Sequence, residues 1–363
     1  MYNVKNDERW VVGVTMEFVL RWGNLGANSA NDTNTEVPHE WQSIDEASLV
    51  PQAMQTTRVP GSRLRPVADS LESVGFVSKG DRKLFDHSAQ EEYFDKIVER
   101  YMRFCAQHKD NLDAALTSLP TSASNDVTSN PAAAQHATKS RPAEGSGPPP
   151  SAELSTLLLS LRKLREAVLA TAATTPVIFS QRVHIFSIRL SIRAQHPPSY
   201  FPSLRHTLDR LHSKSHPLAD CEVKEIVSYM ILDYACRQCD MVSAFELRAR
   251  ARKEFGFQSP TIDDVLNALM HDNWVMFWRV HKTVNSYIRA VMNWAVGRVR
   301  RQALKAVGSA YLNVDINWIL GGCTGDEENW TWEKLVEVEK LGWQREGDKI
   351  IIRRPKPRPQ PNK

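Results

Sequence analysis

Long apolar runs are missing from this 363-residue chain. The one candidate membrane segment, Trp10 to Trp22, is too short to span a bilayer and contains Glu17 and Arg21. The same charges spoil it as the apolar core of a secretory signal. Cysteine is scarce: five residues, an odd number widely scattered, argue against a disulfide framework and for a reducing compartment. A strong overall charge is missing too, with a net value of only +4, so any preference for a charged partner has to come from local clustering. These absences describe a soluble intracellular protein, nuclear or cytoplasmic.

Catalytic signatures are equally sparse. No Ser/His/Asp or Cys/His constellation stands out. Gly321-Gly322-Cys323-Thr324-Gly325 has the glycines of a phosphate loop, yet it follows a helical rather than a strand pattern and has no Lys after its last Gly. It reads as a turn. His206, His212, His216 and Cys221 match no common zinc spacing, and Pro217 interrupts them. Cys236-Arg237-Gln238-Cys239 trails an amphipathic helix instead of opening one after a strand, so a redox role is disfavoured against two partly buried thiols. The expectation is a chain with no enzyme activity, cofactor or metal.

What is present is helical periodicity. Residues 1–60 hold isolated aromatics without a period and read as poorly ordered. An N-terminal helical segment, 61–117, contains a helix from Ser88, where Ser88 and Glu91 suggest a capping box, with Phe94, Ile97, Tyr101 and Cys105 on its apolar stripe. Residues 118–150, rich in Ser, Thr, Ala, Pro and Gly, read as a disordered linker. From 151 to 297 one helical pattern follows another at short intervals, which predicts a stack of antiparallel hairpins. Gln181 to Gln195 is apolar on more than one face, as a central helix should be. Ser259-Pro260 supplies an N-cap followed by Pro at the first helical position, and Gly256 a stop.

Residues 298–354 form the stretch around which the rest is organised. A helix opens it, with Val299, Ala303, Val307 and Ala310 on one face, followed by an extended step at Leu312 to Asp315. A short helix, Ile316 to Leu320, is predicted to stop at Gly321-Gly322, and a second begins at Thr331. Trp343 to Arg345 and Lys349 to Arg353 flank a Glu346-Gly347-Asp348 turn and predict a hairpin. The order is that of a winged helix, after which 355–363 is a basic, Pro-rich tail.

Three segments carry a family resemblance. His271 to Val280 (HDNWVMFWRV) is similar to the G-N-Y-x-x-F-F-x-L element that precedes the winged helix in the PCI superfamily of proteasome lid, COP9 signalosome and translation initiation factor 3 subunits. Arg298 to Leu320 resembles the R-x-x-A-L … A-Y … V-x-I-x-x-L run that follows it, and Val183 to Leu208 resembles the helical part. The match, over roughly 150–354, is to the branch holding Sac3/GANP, signalosome subunit 8, a proteasome-lid subunit and initiation factor 3 subunit k. It implies a mainly α fold, stacked helical hairpins closed by a winged helix with a small β-wing. It also implies a non-catalytic scaffold whose partners are other subunits of a larger complex, themselves PCI-containing, with no membrane.

A second partner class comes from the charge map. No acidic residue lies between Asp272 and Asp315, whereas Arg279, Lys282, Arg298, Arg300, Arg301 and Lys305 do, a candidate phosphate-facing ridge for RNA as in the Sac3 branch. Against it, Glu333, Glu337 and Glu339 follow in the same module. Trp274, Phe277, Trp278 and Trp294 could stack bases, but their helical spacing fits a structural seam between the helical stack and the terminal module better. Residues 118–150 hold too little apolar surface to offset the entropy of ordering. Limited proteolysis is expected to cut there first and to leave a protected fragment of about 151–354; first cleavage within 180–300 would refute this division of the chain.

Overall fold

Helix α1, His87–Gln107, follows a single 3-10 turn at Val77–Lys79, and its start departs from the expected capping box. Asp86 occupies the N-cap without a side-chain hydrogen bond, two residues before the predicted Ser88. Its buried face is Tyr93, Phe94, Ile97, Tyr101 and Phe104, so Phe104 takes the inward position that periodicity assigns to Cys105. The computed structural model describes residues 71–119, 149–325 and 330–354, all within one unit, Leu64–Lys363. The expectations for residues 1–60, most of the 118–150 linker, the acidic loop at 326–329 and the 355–363 tail lie outside the described residues.

A short helix α2 (Leu112–Leu116) follows α1, then α3 (Pro150–Ala170), α4 (Val177–Arg193) and α5 (Pro197–His206). Next come α6 (Asp220–Leu232), α7 (Met241–Phe255), α8 (Pro260–Met270), α9 (Trp274–Thr283) and α10 (Ser286–Ala310). Neighbours in sequence are neighbours in space: α3 with α4, α4 with α5, α6 with α7, α8 with α9 and α9 with α10. Short connections leave little alternative, since a chain that turns within a few residues must return along the helix it has just made. α4 is central. Val183, Ile185, Phe186, Ile188, Leu190 and Ile192 are all buried, and α3, α5 and α10 cover its faces.

Local chemistry explains why the helices break where they do. Asp240, Ser259, Asn273 and Asn285 each accept a backbone N–H in the first turn of α7 to α10, satisfying a donor that has no partner inside the helix. Gly256 closes α7 in the left-handed region at φ 62°, where a side chain would be strained. Two helices do not stop cleanly but widen into a single π turn, Thr207–Leu211 after α5 and Asp233–Arg237 after α6. The second turn is pinned by fully buried Asp233, whose carboxylate accepts from Tyr200 Oη (2.7 Å), Arg237 Nε and Nη2 (both 2.7 Å) and Gln238 Nε2 (2.8 Å). Three donor side chains make this buried charge tolerable and tie α5 to the end of α6.

The terminal module holds β1 (Asn313–Asp315), α11 (Ile316–Thr324), α12 (Trp332–Glu339), β2 (Gln344–Glu346) and β3 (Lys349–Ile351). Its sheet is antiparallel, ordered β1-β3-β2, with Val314 opposite Ile350 and Arg345 opposite Ile350 on the other side. The hairpin predicted from the sequence is β2–β3, and the extended step at 312–315 joins it as a third strand. Ala303, Leu304 and Val307 of α10, Ile316, Ile319 and Cys323 of α11, Trp332 and Leu335 of α12 and Ile350 form its core.

Two boundaries differ from the sequence reading. No helix starts at Arg298, because α10 runs unbroken for 25 residues and belongs to both the helical stack and the terminal module. α11 does not stop at Gly321-Gly322 either; it passes through both glycines to Thr324 and ends at Gly325, with φ 74°. Gly325 meets the indole of Trp278 on α9: a Cβ built there would lie 2.1 Å from Trp278 Cε3. That distance is far inside van der Waals contact, so even one methyl group forces the seam apart. Gly325→Ala is expected to cost about 2–4 kcal/mol, from backbone strain and overpacking together. Gly256→Ala, strained but with nothing within 4 Å of its Cβ, should cost only about 1 kcal/mol. Thermal or urea unfolding of both variants checks this, and equal losses would show that the Trp278 contact does not matter.

Candidate functional site

The predicted seam residues sit where α9 meets α8, α10 and α11. Phe277 is fully buried and Trp278 is 6% exposed, their rings edge to face at 5.3 Å. His281, one turn further along α9, stacks on Phe277 at 6.1 Å and meets Trp278 edge-on at 5.7 Å. Trp274, at the start of α9, is half-buried against the core of the terminal module. Trp294 is half-buried on α10 and, among the described residues, makes no ring contact with the other three. Of the four aromatics, Phe277 and Trp278 are in ring contact, and this buried pair is not available for stacking on a base.

The predicted basic ridge divides. Arg300 turns inward: its Nε donates to Glu339 Oε1 at 2.6 Å, with the two side chains only 11% and 6% exposed. Its guanidinium also lies 4.3 Å from the centre of the Trp330 ring, against whose ring Lys334 Nζ lies at 5.0 Å. Arg298 is half-buried, and its Nη2 donates to the carbonyl of Ala235 in the second π turn at 3.0 Å. Arg301 and Lys305, one turn apart on α10, stay exposed, as do Arg279 and Lys282 on α9. None of these four has a carboxylate partner among the described residues. The sequence suggested the cationic segment but not this split, because a charge run does not reveal which members point at a carboxylate 39 residues along the chain and which at solvent. Glu339, counted in the sequence only as one of several repelling acids, is the group that removes Arg300 from the ridge.

The other suggestive residues serve separate local ends. His206 lies against buried His184, ring centres 4.8 Å apart, and burial together with His206 and Arg165 holds the His184 pKa well below the ordinary histidine value. His212 packs edge-on against Phe255 and accepts the backbone N–H of Leu218 at 3.2 Å, while His216 pairs with Ser215. Among the described residues no group of three or more His, Cys, Asp or Glu side chains is arranged to hold a metal ion. Cys236 is buried within the π turn, which pushes its thiol up to about 12; Cys239 is exposed, so the expectation of two partly buried thiols is corrected. Cys323 is buried in the terminal core and likewise pushed up to about 12. A thiol held protonated is a poor nucleophile. Asp263 pairs with Arg248 and Arg252 of α7 as well as standing in the first turn of α8.

A surface that periodicity did not single out lies on the terminal module. Tyr311, Leu312 and Trp318 are 47%, 50% and 46% exposed, with the two rings 5.9 Å apart. They flank β1, whose only sheet neighbour among the described residues is β3. The available signal was the aromatic at Trp318, exposed because Asp315 caps α11 by accepting from Asn317 and Trp318 N–H and so fixes the phase of the helix. No described helix is long and apolar enough to cross a membrane.

No protein-family model matches this sequence, and no curated protein matches it significantly.

The Arg300–Glu339 pair is buried and the Arg301 side chain is not, which gives opposite expectations for adjacent residues. Arg300→Ala leaves a buried carboxylate uncompensated and should destabilise by about 3–5 kcal/mol. Arg301→Ala should change stability by less than about 0.5 kcal/mol. Chemical denaturation of the two variants checks it; similar values would mean the Arg300 pair does not contribute as its burial implies.

Proposed function

We propose that the chain is a non-catalytic scaffold subunit of a multi-protein complex, built on the PCI plan of a helical-hairpin stack closed by a winged helix. The order helix, strand, helix, helix, strand, strand, with the sheet arranged β1-β3-β2, supports the winged-helix reading. The observation that carries the function is the exposed Tyr311, Leu312 and Trp318 patch beside the open side of β1. Exposed aromatic and aliphatic groups gathered beside a strand with unpaired backbone groups invite a protein neighbour. α10 supports the same reading, since one unbroken helix couples that surface to the stack.

A second reading, an RNA-associated adaptor of the Sac3/GANP type, is favoured by Arg279, Lys282, Arg301 and Lys305, exposed and without carboxylate partners among the described residues. Four unpaired cations on two adjoining helices would attract a phosphate backbone.

One set of variants separates the two. Leu312→Asp combined with Trp318→Asp should release co-purifying subunits and shift native elution to monomer size, while the melting temperature stays within about 2 °C of wild type. Single-stranded RNA affinity, measured at rising salt, should be unaffected by that pair. Wild-type protein already running as a monomer in lysate overturns the scaffold reading. If Arg301→Glu combined with Lys305→Glu lowers RNA affinity about tenfold or more and flattens its salt dependence, the adaptor reading takes its place.

A further inference from the structure

His184 and His206 meet where α4, α5 and the first π turn close on one another. Their ring centres are 4.8 Å apart and their planes are tilted by 39°, a packed contact rather than an N–H···N bond. His184 is 2% exposed, and both its ring nitrogens are without a hydrogen-bond partner among the described residues. Ser187, one turn further along α4, and Thr207, beside His206, have buried hydroxyls that are equally unpartnered, so neither serves a ring nitrogen. His206 is only half-buried.

Among the charged groups that act on this pair there is no carboxylate. From α3, Arg165 acts on His184 and reaches across to α5. There its Nη1 donates to the Ser199 carbonyl and the Ser203 hydroxyl, on the helix face that also carries His206. From the π turn, Arg210 acts on His206, while Asp209 is turned to Arg250 at 3.8 Å. His196, before the first turn of α5, feels the same Arg165 and meets Ser199 Oγ through Nδ1 at 2.9 Å. α10 packs on α4 further along, where Arg193 lies over the Tyr287 ring, and adds no charge to His184.

A neutral ring suits such a place and a charged one does not. An imidazolium at His184 would hold two buried N–H donors with no acceptor, in the field of Arg165. Burial and the neighbouring cations hold both histidines below the ordinary value of about 6.5, His184 further than His206. With α5 opened, both rings take up protons at the ordinary value, so the closed form binds fewer. Its advantage is complete above about pH 6.5 and is lost as pH falls below that.

We propose that the His184–His206 contact is an acid-released latch, closed while both rings are neutral and opened by their protonation, which frees α5 and its π turn from α4. His206 takes its proton from solvent. His184, sealed in the closed form, takes one on opening and so holds the latch open. Gln181 stays as the hinge, its Nε2 donating to the Leu211 and His216 carbonyls at 3.0 and 2.9 Å, groups that do not titrate. Opening uncovers Leu204 and Leu208, both buried in the closed form. The latch is independent of the scaffold and adaptor readings.

Hydrogen exchange of the full-length chain, corrected for the intrinsic rate at each pH, gives opening constants at pH 7.5 and 5.5. Each proton taken up on opening raises the constant by up to about tenfold per pH unit. Residues 197–211 should open at least tenfold more readily at pH 5.5. The terminal module, with no histidine between 298 and 354, should change less than twofold. His184→Leu should cut the response of 197–211 at least fivefold, and His206→Gln, at the half-buried position, at least twofold; the second serves if the first does not fold. A response at 197–211 below tenfold, an equal rise in the terminal module, or an undiminished response in folded His206→Gln would overturn the latch and leave the pair as a packing contact.

Discussion

Contact between Gly325 and the Trp278 indole sets how the terminal module meets the helical stack. Trp278 fills the space at the end of α11 so completely that only a residue without a Cβ can stand there, and the left-handed backbone of Gly325 permits the chain to turn away at once. Phe277 and His281 hold the indole from the other sides. A large aromatic of this kind contributes about 3–5 kcal/mol when judged by truncation, a considerable part of the roughly 5–15 kcal/mol that keeps a typical domain folded.

Polar pins reinforce this apolar seam, each placed where helices of different hairpins cross. Arg298 reaches from α10 to the carbonyl of Ala235, and Arg300, two residues on, reaches Glu339 at the end of α12. Deeper in the stack, Arg189 of α4 forks onto Glu225 of α6 at 3.0 and 2.6 Å, and Tyr229 donates to the same carboxylate at 2.7 Å. Such pairs add less net stability than their Coulomb attraction suggests, because both charges lose water. Their effect is on geometry: a bidentate pair tolerates little rotation, so it fixes the register of one helix on another. α10, which carries both Arg298 and Arg300, is the spine joining the two parts.

This arrangement bears on partners by elimination within one charge run. Of six cations suggested as a ridge, two are committed to internal contacts, which leaves Arg279, Lys282, Arg301 and Lys305 to act outward. The apolar surface at Tyr311, Leu312 and Trp318 is on the terminal module, beside β1, and does not depend on them. The exposed cations and the apolar patch therefore lie on different elements, the cations on α9 and α10 and the patch beside β1.

Helix content, most helix starts and the chain's central helix were legible in the sequence because they depend on near neighbours. Ser259-Pro260 and Gly256 mark their boundaries through bonds and φ angles within four residues, and the apolar faces of α4 and α9 repeat at helical period. The β2–β3 hairpin was legible for the same reason, its turn lying between its strands. Where α11 ends was not: Gly321 and Gly322 are adequate stops locally, but the helix continues to the residue that Trp278 forces to be Gly. Nor could sequence tell that α10 runs through residue 298, since a boundary between packed units need not interrupt a helix. The inward turn of Arg300, the addition of β1 to the hairpin and the contact of His206 with His184 were likewise tertiary decisions. Each joins groups distant along the chain, and only packing, which removes water and brings such groups within bonding distance, chooses their partners.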